Sequence, residues 1–259
     1  MNPEESKREM ARLSRKGFLW TGVALVGGWQ GVKYIASRYG EGGVPWPFRR
    51  ALEVNEGIWS DAFSNRLVPT FDRAAAKEPR ANGSEGLSED FDPMTWRLSV
   101  EGIAGEEGAK EFTLAQIKAL PRVEMTTELC CIEGWSTVVH WTGARFADFM
   151  AKYPPITRDG DDPDVVKHPE NLAKYVSLVT PDGGYFVGLD MQSALHPQTL
   201  LCYEMNGEPL TLEHGAPLRL AIPVKYGIKN IKRIGTIAYT NDRPKDYWAE
   251  EGYDWYAGL

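Results

Sequence analysis

Short apolar alternations, most of them closed by a turn signal, run through the chain from residue 94 onward and limit the folds open to it. In Met94-Thr-Trp-Arg-Leu-Ser-Val100, the side chains of Trp96, Leu98 and Val100 share one face, the period-two pattern of a half-buried strand. Strands are also predicted over Lys174-Tyr-Val-Ser-Leu-Val179 and over residues 199–205, where Asn206-Gly207 supplies a tight hairpin turn. Leu218, Leu220 and Ile222 alternate in the same way. By contrast, Phe146, Phe149, Met150 and Tyr153 recur at helical spacing, and Pro154-Pro155 ends that helix. Strands that do not alternate with long helices argue against a doubly wound sheet. The expected class is α+β, with mixed β-sheets and short helices.

The 259 residues, 42% of them hydrophobic and 25% charged, suffice for one large core plus an appendage. A net charge of −7 with no basic block to offset it argues against nucleic acid as a partner. Three cysteines, two of them adjacent, make no disulfide framework, and no C-x-x-C-H run offers a site for c-type haem. At the start, Lys7, Arg8, Arg12, Arg15 and Lys16 precede an uncharged stretch from Gly17 to Val32. That stretch is shorter than the roughly 18 residues of a spanning helix and reads as an export signal. Ser14-Arg-Lys-Gly-Phe-Leu19 resembles the twin-arginine motif, with Lys16 in place of the second arginine. With no clear A-x-A cleavage site, an uncleaved anchor stays open. Both readings put the following domain in the periplasm or on the outer face of the cytoplasmic membrane. The expected division is residues 1–46 for signal or anchor plus linker, Gly40-Glu-Gly-Gly-Val-Pro-Trp-Pro47 marking the join, and residues 47–259 for the working domain. Residues 73–93 read as a surface loop, and residues 157–170, with four aspartates, as a solvated insertion.

Two runs carry chemistry. Glu128-Leu-Cys-Cys-Ile-Glu-Gly-Trp-Ser136 holds thiols, soft donors suited to a transition metal. Lys225-Tyr-Gly-Ile-Lys-Asn-Ile-Lys232 sets lysines beside small residues, a combination able to hold a phosphate dianion against backbone N–H groups. Together they resemble the molybdopterin-binding fold of the sulfite oxidase superfamily, and within it the branch of the bacterial periplasmic methionine-sulfoxide reductase catalytic subunit. The resemblance runs from Pro47 to Tyr253.

The resemblance implies roles residue by residue. Cys131, two positions before Glu133 and four before Trp135, takes the place of the molybdenum ligand; Cys130 does not match. On an extended segment the two thiols would point to opposite faces, so one alone could reach the metal. His214 and Arg219 stand where the family has a polar pterin contact and a phosphate-binding arginine, whose planar fork suits phosphate. The reductase branch has asparagine where His214 stands, and sulfite oxidases have histidine. Asn230, Ile231 and Lys232 take the place of a run that binds through backbone and the final lysine, and Thr180 that of a further contact. Asn55, with Ile58 and Trp59, falls where the branch has an upstream cofactor loop, but without its aromatic–glutamate pair. Without the resemblance, free cysteines are usually buried hydrophobes, a lysine run a solvated face, and Thr180 before Pro181-Asp-Gly ordinary turn chemistry.

The implied cofactor is Mo-molybdopterin, which performs two-electron oxygen-atom transfer while the protein positions it. Sulfite oxidases follow their ligand cysteine with an Ala-Gly-Asn-Arg-type run that helps hold the anion. Ile132-Glu-Gly-Trp-Ser136 offers no cation there, and Glu133 would repel sulfite while relaying a proton. No dimerisation, haem or flavin module is expected within these 259 residues. The implied reaction is reduction of a neutral S-oxide, such as methionine sulfoxide in oxidised proteins, with electrons from a membrane haem or quinone-linked partner. A sulfite dehydrogenase or oxidase using cations from elsewhere, Arg145 or Lys225 for instance, stays open. So does a non-catalytic anchored binding module, against which Cys131 counts.

Overall fold

The alternating runs become strands of two sheets. The structure, a computed structural model, describes residues 3–38, 44–62 and 66–259. The chain divides into two compact units, residues 1–55 and 56–259. The first holds α1 (Pro3–Ala36) and most of α2 (Trp46–Ala62). Along α1 the apolar side chains Phe18, Trp20, Val23, Leu25 and Trp29 are exposed, and no helix among the described residues is long and apolar enough to cross a membrane. The linker glycines at 40, 42 and 43 lie outside the described residues. Pro47, read above as part of a linker, sits in the first turn of α2, where its missing N–H is no loss.

The second unit contains β1 (Leu98–Glu101), β2 (Lys110–Phe112), α3 (Leu114–Lys118), β3 (Arg122–Cys130), β4 (Ser136–Arg145) and α4 (Phe146–Lys152). There follow β5 (Tyr175–Val179), β6 (Phe186–Asp190), α5 (Met191–Ala194), β7 (Leu200–Met205), β8 (Glu208–Pro209), β9 (Arg219–Ala221), β10 (Thr236–Thr240) and α6 (Tyr247–Glu250). One sheet runs β2-β1-β10-β5-β6, with β1 and β10 parallel and its other pairs antiparallel. The other runs β3-β4-β7-β8, with β9 also paired to β7, and is antiparallel throughout. Leu98, Val100, Phe112, Phe146, Phe149 and Ile237 belong to the main core cluster, and Val139, Trp141, Leu200 and Cys202 to a smaller one. This mixed architecture with few short helices is the α+β class expected.

Local departures have local causes. The strand predicted from residue 94 begins only at Leu98, because Asp92 caps the preceding turn by accepting the Met94 N–H at 2.8 Å. Trp96 still faces the core and donates its indole N–H to Ile234 O at 2.9 Å. The Asn-Gly hairpin forms with Asn206 at φ 54° and Gly207 at φ 89°, as a type I′ turn requires. β9 is shorter than the 218–222 alternation, and Leu218, Leu220 and Ile222 are all fully buried. The stretch 73–93 is more than a solvated loop. Lys77 N–H donates to Val138 O of β4 at 2.8 Å, and Asn206 Nδ2 to Lys77 O at 3.1 Å, so it lies as a strap across the second sheet.

Candidate functional site

β3 ends at Cys130, and the chain turns before β4. The Cys131 N–H donates to Trp135 O at 2.9 Å and the Gly134 N–H to Cys131 O at 3.1 Å. Gly134 takes φ 88°, a left-handed conformation open to glycine at little cost. The turn brings the half-buried Cys131 to a cavity of about 160 Å³. Cys130 stays on β3 opposite Ser136 and does not line it; burial, with Glu128 nearby, pushes its thiol pKa up. On one extended strand the two thiols would part by alternation. In the structure the turn separates them, since Cys131 has already left the strand.

Arg219 on β9 lines the same cavity although only 3% of it is exposed. Its Nη1 donates to His214 O at 3.1 Å and its Nη2 to Asn230 O at 3.2 Å, while Nε is buried without a partner among the described residues. Burial pushes its pKa down to about 10. Lys232 stands nearby, its Nζ donating to Asn82 O at 2.7 Å and Gly83 O at 3.1 Å; burial, then the Arg219 charge, push it down to about 8. His214 is buried in the same wall, and desolvation followed by Arg219 and Lys232 lowers its pKa, favouring a neutral imidazole. Gly215 beside it takes φ 92°, and a Cβ there would lie 2.6 Å from the Arg233 backbone nitrogen. Asn230 lines the cavity, but its side chain is occupied: Oδ1 accepts the Ile222 N–H at 2.8 Å and Nδ2 donates to Tyr226 O at 3.2 Å.

Of the residues singled out in the sequence, Cys131, Glu133, His214, Arg219, Asn230 and Lys232 therefore converge on one cavity. Ile231 is a core residue whose carbonyl accepts the Leu220 N–H, and Thr180 is buried with its hydroxyl on Asp182. Neither lines the cavity. Asn55 and Ile58 are exposed on α2, Ile58 by 60%, and the Trp59 side chain lies outside the described residues. Asn55 belongs to the first unit, and every lining residue to the second. The lysine run also divides. Lys225 and Lys229 are neither cavity residues nor a solvated face. Lys225 is buried 3.6 Å from Asp190, where desolvation pushes its pKa down to about 7. Lys229 is buried against Asp246 and donates to Gly188 O at 2.9 Å.

The upstream wall comes from residues the sequence analysis passed over. Arg80, Asn82, Gly83 and Glu85 of the strap line the cavity. Asn82 Nδ2 donates to Glu133 Oε2 at 3.1 Å and lies 3.9 Å from Cys131 Sγ, so one amide bridges thiol and carboxylate. Glu133, exposed at the rim, also accepts the Trp135 indole N–H at 2.9 Å. The Arg80 guanidinium, on the same wall, sits 5.7 Å from the centre of the Trp135 ring. The available signal was Asn82-Gly83, a turn dipeptide inside a polar stretch.

A sequence profile described as the oxidoreductase molybdopterin binding domain matches residues 85–248. YedZ1 of Azospira oryzae, provisionally named a protein-methionine-sulfoxide reductase subunit, is 34% identical over 197 residues, which cover 75% of this chain and 69% of that one. The protein-methionine-sulfoxide reductase catalytic subunit MsrP of Xanthomonas campestris is 33% identical over 59% of this chain and 47% of its own length. MsrP of Campylobacter jejuni is 32% identical over 67% of this chain and 59% of its own length. Among solved structures, the sulfane dehydrogenase SoxCD of Paracoccus pantotrophus superposes with a TM-score of 0.50 at 18% identity, over 69% of this chain and 46% of that one, a likeness of fold. By its matched domain and these relatives, the chain belongs to the oxidoreductase molybdopterin-binding family of the sulfite oxidase superfamily.

Proposed function

We propose that the protein reduces sulfoxides, methionine sulfoxide foremost, at a molybdenum pterin held by Cys131, Arg219 and Lys232. The observation that carries this reading is a single cavity that joins a thiol to two desolvated cations. The cofactor fits the chemistry of this donor set. Cys131 offers one soft sulfur, which suits a metal whose other donors arrive with the pterin. The orphaned Nε of Arg219 and the ammonium of Lys232 suit a phosphate, with His214 presenting neutral imidazole to the ring system. Within the second unit, Asn82 stands on the cavity wall beside Lys232 and would contact it. When bound, the group supplies two-electron oxygen-atom transfer.

The residues of this chain do the rest. The sulfur–oxygen bond of the substrate breaks, sulfur gains two electrons from an external donor, and the oxygen leaves as water with two protons. Glu133, anchored by Asn82 and Trp135 at the rim, is placed to pass those protons inward from solvent. Its carboxylate disfavours an anionic substrate near Cys131, and Arg80 is drawn toward the Trp135 face. A neutral sulfoxide avoids that repulsion. The relatives named as methionine-sulfoxide reductases support the same substrate class. Localisation outside the cytoplasm completes the proposal and rests on the basic, twin-arginine-like start of the chain; an electron-delivering membrane partner, haem- or quinone-linked, is supported by relatives named as subunits of a reductase. A single-turnover experiment tests the chemistry. Methionine sulfoxide should reoxidise the reduced, molybdenum-loaded protein and yield methionine in proportion to the electrons stored. A reduced protein indifferent to sulfoxide, whose oxidised form sulfite reduces at once, would reverse the assignment.

A further inference from the structure

Trp248 and Tyr253 line the cavity that holds Cys131, yet the account above uses neither. Tyr253 lies beyond the family match, which ends at residue 248. The backbone that carries both rings is anchored. Asp246 caps α6 by accepting the Ala249 N–H at 3.1 Å, and its second oxygen accepts the Gly188 N–H at 3.1 Å and pairs with buried Lys229. The chain then turns through Gly252 at φ 97°, and the Tyr253 N–H donates to Trp248 O at 2.9 Å. The turn sets the two rings edge to face, centroids 5.3 Å apart, with Trp248 half-buried and Tyr253 39% exposed. A pre-ordered aromatic pair that opens onto the cavity keeps apolar surface available to a ligand.

We propose that Trp248 and Tyr253 form the subsite that receives the longer, uncharged arm of a methyl sulfoxide and so set which sulfoxides the site prefers. The inference rests on the sulfoxide reading above and adds its specificity determinant. Sulfur and unbranched methylenes pack well on aromatic rings, and the product thioether keeps that contact.

The test uses the molybdenum-loaded full chain as wild type, Tyr253→Leu, Trp248→Leu and Trp248→Phe. Steady-state constants are measured for N-acetylmethionine sulfoxide amide and for dimethyl sulfoxide, alongside calorimetric binding of N-acetylmethionine amide. Each leucine variant should raise KM for the capped substrate roughly tenfold, the scale on which a pocket discriminates one or two apolar groups. The loss should sit in KM rather than kcat, product binding should weaken in step, and Trp248→Phe should recover much of the selectivity. An unchanged ratio of kcat/KM between the two sulfoxides in Tyr253→Leu, at wild-type molybdenum content, overturns the subsite and leaves the sulfoxide reading standing. Loss of molybdenum in Tyr253→Leu also overturns it, by assigning the ring to the cofactor. A wild type that reduces neither sulfoxide removes both readings together.

Discussion

Burying the Arg219 guanidinium with an unpartnered Nε and no carboxylate beside it among the described residues costs folding free energy, which an incoming phosphate would offset. Arg219→Ala should therefore fold yet carry little pterin, since removing one partner of a buried charge pair typically costs about 3–5 kcal/mol. Wild-type pterin content in that variant, measured on the purified protein, would place the phosphate elsewhere. Lys232 gives a pH signature. Its pKa lies near 8, against an ordinary 10.5. Below about 8 the ammonium is already present and phosphate binding is at its fullest; as pH rises through that value the charge is lost and binding weakens. Stability of the cofactor-free protein runs the opposite way over the same window. Between about 8 and 10.5 the unfolded chain binds the extra proton, so stability rises with pH there. Phosphate titration calorimetry from pH 7.5 to 9, below the range in which Arg219 titrates, should show the first trend, and Lys232→Gln should show a much smaller one. At the same scale, Cys131→Ser should abolish turnover and Cys130→Ala should not, because serine lacks the soft donor. Single residues were legible where a motif fixed spacing, as with Cys131, Arg219 and Lys232. Lys225 and Lys229 were not, because a lysine gives no sign in sequence of whether it meets a phosphate or a distant aspartate.

Strands were legible as elements, since period-two burial leaves its imprint on Trp96, Leu98 and Val100 and on the Asn206-Gly207 turn. The strap at residues 73–93 was not, because its anchors are backbone groups and its polar side chains resemble those of any loop. Asn206 is one of those anchors: besides making its turn, it accepts the His140 N–H at 3.0 Å and donates to Lys77 O. Asn206→Gly preserves the left-handed turn and removes both bonds. It should lower stability by about 1–3 kcal/mol and expose residues 77–85 to protease, with loss of molybdenum following from a displaced Asn82. An unchanged proteolytic pattern would show that the strap is held without this clamp. The residues expected as an Asn55 loop lie instead on α2, and within the second unit the cavity asparagine that no sequence signal singled out is Asn82.

For the whole molecule, the sequence alone indicated the α+β class and the family, because cofactor runs and strand alternations are both local in sequence. It did not indicate that the cavity is closed by segments far apart in the chain, residues 79–85 on one side and 248–253 on the other. The N-terminal unit, with its basic start and exposed apolar helix, is expected to direct residues 56–259 out of the cytoplasm. A reporter active only in the cytoplasm, fused after residue 60, should then lose its signal; full activity would contradict export. One cavity is proposed to hold molybdenum through Cys131 and to turn that metal on neutral sulfoxides. The most direct measurement is molybdenum content together with steady-state rates on methionine sulfoxide and on sulfite, made on one purified preparation. Bound molybdenum, sulfoxide reduction with an artificial low-potential donor, and slow or absent sulfite oxidation are expected. A molybdenum-loaded protein that oxidises sulfite much faster than it reduces sulfoxide would contradict this reading.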